Sequence, residues 1–312
     1  MFRFPAVYLF AILFTLMVTP AQATLVARAF VASYGLNTNT ATNCADVINP
    51  CRHLSVAVDF VDTNGEVVVL DSGNYGLVTL TRSISLTAAP GVYAGMTAGT
   101  GRSGVIINPG TVNVVLRGLT INGLGGDNGV LMNSNGNLSI ENCVISNFSG
   151  GGQRGVLVNS AATVRMVNTL IRDNDTGFEL QGGATAIISK SRFLGNSAGI
   201  LANGAASTTT ATVRDTIVTG GINGILAFSE IVGANNRIYV IRSTISNSFA
   251  GVSAGAFPSG TSSVTISKSM VTGNSHGLFT IDADAIVKSY GNNTITNNTA
   301  NTTGPVTLIT PM

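Results

Sequence analysis

The chain has 312 residues, of which 16 are Lys or Arg and 14 are Asp or Glu, giving a formal net charge of +2. So sparse and balanced a charge excludes the electrostatic footprint of a nucleic-acid-binding protein. Tryptophan is absent and aromatics make up 6% of the residues, while Gly, Asn, Ser and Thr are spread evenly, which suits many short strands joined by tight turns.

In chain order, residues 1–23 read as a leader. They carry an early cation at Arg3, an apolar run from Ala6 to Val18, a breaker at Pro20 and the A-x-A triplet Ala21-Gln22-Ala23. This is a signal-peptide layout, and its core is short for a membrane span. An uncleaved inner-membrane anchor is the competing reading. The expected mature chain starts near Thr24 and is secreted or periplasmic, free of the membrane once the leader is cleaved.

Residues 24–65 form an expected N-terminal cap. Cys44 and Cys51 bracket CADVINPC, and an oxidising compartment favours a small disulfide loop there. His53 is the only other soft ligand nearby, so no metal site is expected. Leu54, Ala57, Val58 and Val61 have the spacing of a short amphipathic helix, which would shield the open end of an apolar stack. A turn at Asn64-Gly65 and a first strand at Glu66 to Leu70 follow.

From 66 to 312 the chain repeats. KSRFLGNSAGIL at 190–201 returns as KSMVTGNSHGLF at 268–279. An apolar anchor two places after a Ser/Thr position recurs as Ile121, Ile145, Ile171, Phe193, Val218, Ile245, Val271 and Ile295, at spacings of 22 to 27 residues. Gly129, Gly155, Gly177, Gly199, Gly224, Gly251 and Gly277 keep step with it. Within a turn the local period is two, so each repeat holds three short strands with one face of each inward. Such repeats bury their apolar faces only by stacking, each strand pairing in parallel with its equivalent.

The pattern V-x-I-x-x-[ST]-x-[IV]-x-x-N-x-x-G-[IV]-x-[VLA], over about 110–300, resembles the right-handed parallel β-helix repeat of the pectate-lyase-like superfamily. The segment before it is similar to the cap of secreted bacterial β-helix proteins. The expected fold is all-β, a solenoid of about ten coils of ~25 residues with a short helical cap, roughly 50 Å long at one strand spacing per coil.

Stacking the coils turns positions into columns. Two places before the anchor, Cys143 stands among small polar residues and reads as a packed interior thiol. Asn174, Asn196, Asn274 and Asn298 read as a hydrogen-bonded ladder that holds a bend. The column Asn142, Asn168, Lys190, Asp215, Arg242, Lys268 and Asn292 is outward: a solvated face, or a sparse basic stripe able to track an anionic polymer. After the glycine, Leu131, Leu157, Leu201, Leu226 and Phe279 point outward, with Glu179 and Ser253 between them. Either a loop or tail covers them, or they support self-association.

The densest charge cluster is Arg172, Asp173, Asp175 and Glu179, with Lys190 and Arg192 one coil above. Guanidinium groups beside carboxylates suit uronate binding, with Ca²⁺ a possible companion on the Asp pair; an ordinary ion-pair patch looks the same. The superfamily's enzymes imply Ca²⁺-binding carboxylates with a basic residue, or spaced carboxylates with a His and an Arg-x-Lys pair. The sequence has neither an Arg-x-Lys nor a Gly-His-Gly. Ser275-His276-Gly277 comes nearest, with His276 read as a turn residue, and Asp282-Ala283-Asp284 is a weak chelating signal. The expected function is an elongated surface for a polysaccharide or cell-surface glycan, without a complete catalytic set. A uronate-directed polysaccharide lyase and a structural or adhesive module are the alternatives.

Overall fold

The structure, a computed structural model, describes residues 25–204, 207–257 and 260–310; the expected leader lies outside them. Among these residues no helix is long and apolar enough to cross a membrane. Three parallel sheets of 12, 10 and 10 strands run the length of the solenoid, here called sheets I, II and III. Each coil contributes a strand to sheet I, then to II, then to III, and each strand pairs with its equivalent in the neighbouring coils.

The anchor column is the register of sheet II. Ile121, Ile145, Ile171, Phe193, Val218, Ile245, Val271 and Ile295 pair in succession. The first seven are essentially inaccessible, and Ile295, in the last coil, is half-buried. Alternation sends Val264, Ile266, Val271 and Leu278 of one coil into the same core.

Two left-handed residues make two of the three corners. Between sheets I and II stand Asn142, Asn168, Lys190, Asp215, Arg242 and Lys268, with φ from 49° to 54°. Between sheets II and III stand Asn147, Asp173, Asn247 and Asn297 with φ of 56–67°, and Gly195, Gly220 and Gly273 hold the same corner in the other coils. One residue in this conformation reverses the chain sharply, and Asn, Asp and Gly tolerate it best. Column positions read as a charged face are therefore corner positions first.

Each corner leads to a buried polar ladder. After the first, Thr169, Ser191, Thr216, Ser243 and Ser269 donate to the carbonyl two residues back, at 2.8–3.1 Å. Each also accepts the backbone N–H of its counterpart in the preceding coil. After the second, Asn174 Nδ2 donates to Asn196 Oδ1 at 2.8 Å, and Asn274 Nδ2 to Asn298 Oδ1 at 2.9 Å. Gly221 and Ser248 occupy the two rungs between these pairs. The ladders satisfy corner amides that no strand can reach.

The glycine column answers to crowding rather than to left-handed backbone. A Cβ at Gly129, Gly155, Gly177, Gly199, Gly224 or Gly251 would sit 2.5–2.9 Å from the carbonyl oxygen of the next coil's glycine. None of these glycines has positive φ.

The cap departs in part from expectation. Helix α1 (Ala41–Cys44), absent from the sequence reading, starts at a Thr40–Asn43 capping box and leads into the Cys44–Cys51 disulfide. Helix α2 (Leu54–Phe60) buries Leu54, Ala57 and Val58 as its spacing implied, whereas Val61, read with them, is buried as the first residue of the strand that follows. Sheet I, however, begins earlier than residue 66. Strand β1 (Val26–Val31) pairs with β2 (Val61–Val69), so an edge strand lies inside the segment read as cap, and β2 runs through Asn64-Gly65. The apolar alternation of Ala29 and Val31 was too short to separate from cap packing by pattern alone.

Candidate functional site

The six charged residues proposed from sequence occupy different places. Arg172 ends the sheet II strand Leu170–Arg172, and Arg192 opens Arg192–Leu194 in the next coil. The register pairs Leu170 with Arg192 and Arg172 with Leu194, so the two arginines are diagonal neighbours as expected. Asp173 is the corner residue and pairs with Arg172 (Nη1–Oδ2 3.1 Å), both about half exposed. Asp175 is drawn the other way: its Oδ2 accepts the backbone N–H of Gly152 at 2.7 Å. Glu179 lies on sheet III and is buried, with Oε2 2.6 Å from Arg154 Nε and Oε1 accepting from Gln181. Lys190 stands at the corner between sheets I and II.

The cluster thus divides: Arg172, Asp173 and Arg192 are neighbours at the end of sheet II, Asp175 and Glu179 serve the turn at 150–152, and Lys190 stands at another corner. Sequence proximity misled because the corner at Asp173 sends every residue beyond it to another sheet: 170–172 lie on sheet II and 176–181 on sheet III. Arg154, one coil below Glu179, was the missed partner; the register Arg154–Thr176 and Leu157–Glu179 sets them on neighbouring strands of sheet III, near enough for the long arginine side chain to reach the carboxylate. Its Nη1 also donates to the Gly152 carbonyl, so Arg154, Glu179 and Asp175 together fasten the glycine-rich turn at 150–152. The two aspartates have separate partners, and among the described residues no group of three or more His, Cys, Asp or Glu could hold a metal ion.

Cys143 is buried, its thiol donating to the Glu141 carbonyl at 3.3 Å; burial pushes the thiol up to about 11. His276 is not a turn residue: it opens the strand His276–Thr280 on sheet III. Its ring stacks on Phe279 and meets Phe249 edge-on, each with centroids 5.0 Å apart, while Nδ1 and Thr303 Oγ1 share a 2.7 Å hydrogen bond. The outward leucines beside this cluster are half-buried, packed on their equivalents in adjacent coils, and Ser253 and Glu179 among them are buried.

Concave surface appears elsewhere. On the outer face of sheet I, Ser263, Thr265 and Ser267 form a floor of small hydroxyl residues. The coil before carries Arg237 and Tyr239 at the paired positions, and the coil after carries Ile286, Lys288 and Tyr290. Long side chains on both sides of a short-chain strand leave a furrow across the solenoid. It contains two contiguous hollows of about 450 and 340 Å³, which share Tyr239, Thr265 and Tyr290. Arg242 and Lys268, from the left-handed corner, close one end; Asn235 and Asp284 lie at the other. Arg242 is held by Asp215 through two contacts of 2.8 and 2.9 Å, and this pairing keeps the Asp215 carboxyl below its ordinary range. A second cleft, of about 600 Å³, lies between α2 and the first strands of sheet III.

Together the coils, corners and ladders define a right-handed parallel β-helix. The family model "Right handed beta helix region" matches residues 103–256. Among solved structures, the chain is similar to pectate lyase Pel9A, at 18% identity over 89% of this chain and 80% of that one, with a TM-score of 0.59. It is also similar to XylC in complex with xylose, at 9% identity over 86% of this chain and 69% of that one, with a TM-score of 0.62. No curated protein matches the sequence.

Proposed function

We propose that this protein binds an extended polysaccharide outside the cytoplasm, secreted or periplasmic, using the furrow across sheet I. The furrow's composition carries the reading. A saccharide chain presents apolar ring faces and a fringe of hydroxyls; Tyr239 and Tyr290 offer faces for the first, and Ser263, Thr265, Ser267 and Asn235 offer hydrogen bonds for the second. The furrow follows the strand direction for about eight residues, Thr261 to Lys268, or roughly 25 Å at strand rise. A rigid sheet holds every contact in place before binding, which lowers the ordering cost. The Cys44–Cys51 disulfide and the likeness to pectate lyase Pel9A and to XylC with xylose support the setting and the ligand class.

The test is titration of the purified protein with a panel of neutral and acidic plant and bacterial polysaccharides. At least one is expected to bind, and Tyr239→Ala is expected to weaken it by roughly 30-fold, the loss typical of a central aromatic contact. Failure of the whole panel, or unchanged binding in the Tyr239→Ala, Tyr290→Ala double variant, removes the furrow from consideration.

A further inference from the structure

The cleft between α2 and sheet III has chemistry opposite to that of the furrow. Asp59 projects from α2 on one side, and Asp127 from the turn before Asn128–Met132 on the other. Among the described residues neither carboxylate makes an ion pair or a side-chain hydrogen bond, although Arg102 lines the same cleft. Beside Asp127, Asn128 is 8% exposed and donates through Nδ2 to Ser103 Oγ at 3.2 Å, yet its Oδ1 has no partner. A buried carbonyl oxygen is costly to leave unpaired, and such exceptions mark places where a donor belongs. Leu77, Ile106 and Leu131 give the cleft an apolar wall, and Ser55 and Thr79 add hydroxyls at its edge.

We infer that this cleft is a second binding site, independent of the furrow, for a sugar bearing a free primary amine. Two unpaired carboxylates line the cleft and the unpaired, buried Asn128 carbonyl lies just beneath its surface, all acceptors, so the complementary ligand is rich in donors and carries positive charge. The apolar wall suits the C–H face of a pyranose ring better than a fully solvated ion. A volume of about 600 Å³ lies within the range of ligand pockets, roughly 300–1,000 Å³.

Calorimetric titration with a glucosamine trimer, its fully N-acetylated counterpart and spermidine decides the matter. The glucosamine trimer is expected to bind at least about tenfold more tightly than the acetylated trimer, which lacks the charge. Spermidine, which lacks the ring, is expected to bind more weakly than the glucosamine trimer. Asp59 and Asp127 are exposed on their elements, so Asp59→Asn and Asp127→Asn should fold normally, as checked by circular dichroism. Each is expected to weaken the trimer by about tenfold, and Arg102→Ala to leave it equal or tighter. No binding, equal affinity for the two trimers, spermidine binding as tightly as the glucosamine trimer, or full affinity in the double aspartate variant overturns the assignment. Tyr239→Ala is expected to leave this site untouched, so loss of the furrow reading would not remove it.

Discussion

At Gly199 an added Cβ would meet the Gly224 carbonyl oxygen at 2.5 Å and Val218 Cγ1 at 2.7 Å, so an alanine there has to push neighbouring coils apart. Gly199→Ala is expected to cost about 3 kcal/mol in chemical denaturation, the upper range for overpacking. Gly151 has nothing within 4 Å of such a Cβ, and Gly151→Ala should shift stability by less than about 0.5 kcal/mol. Equal effects at the two positions would contradict the crowding account. Lys190 tests the corner reading: with φ of 52° it occupies a backbone region better suited to Asn. One coil below, Asn168 donates to Asn142 at 2.7 Å, a ladder that Lys190→Asn could extend. That substitution is expected to raise the denaturation midpoint slightly. A fall would mean that Lys190 makes an interaction beyond the corner. The asparagine ladder was legible from sequence because its spacing repeats, whereas the Arg154–Glu179 pair was not, since nothing in the local sequence tells which coil supplies a partner.

Along sheet I the outer face carries an ion-pair rung that spans three coils. Glu141 Oε2 lies 2.8 Å from Arg117 Nη2, Glu141 Oε1 lies 3.0 Å from Arg165 Nη1, and Ser139 Oγ donates to Glu141 at 2.8 Å. Partial burial pushes the Glu141 carboxyl up, but the Ser139 hydrogen bond and the Arg117 and Arg165 charges together outweigh it and hold the carboxyl below its ordinary value of 4.5. A depressed carboxyl binds fewer protons folded than unfolded, so its stabilising contribution is present above about pH 4.5 and is lost as pH falls through the folded value. Thermal melts between pH 7 and 3 are expected to fall less steeply for Glu141→Gln than for the parent chain. Identical slopes would show that the rung contributes nothing measurable. At the other end of the chain, α2 is a short helix whose three buried residues were readable from spacing, while β1 was not, because its partner strand lies 35 residues later in the register Val26–Val61.

As a whole the molecule is a one-dimensional stack in which each coil is stabilised mainly by its two neighbours. The strands Thr294–Thr296 and Ala300–Thr303 contain no fully buried residue, unlike Ile217–Thr219 with its inaccessible Val218. Hydrogen exchange is expected to be fastest in those two strands and slowest in the middle coils, as local opening follows the burial around each amide. Uniform protection from end to end would require cooperativity beyond nearest neighbours. The furrow and the cap cleft both belong to this scale. Each is lined by side chains from three or more coils, so neither can be seen in any single repeat.

The sequence by itself determined the class of fold, the length of a coil, the inward anchors, the asparagine ladder and the cap disulfide. These follow from a periodic pattern, and stacking identical units is the one way such a pattern buries its apolar faces. Only the tertiary structure decided which outward residues meet. Glu179 found Arg154 rather than Arg172, and Ser263, Thr265 and Ser267 became a floor because bulkier coils stand on either side. Outward positions repeat less strictly than inward ones, and the distance in sequence to their neighbours varies with coil lengths of 22 to 27 residues. The repeat could therefore be read along the chain, whereas its binding surfaces form only across the coils.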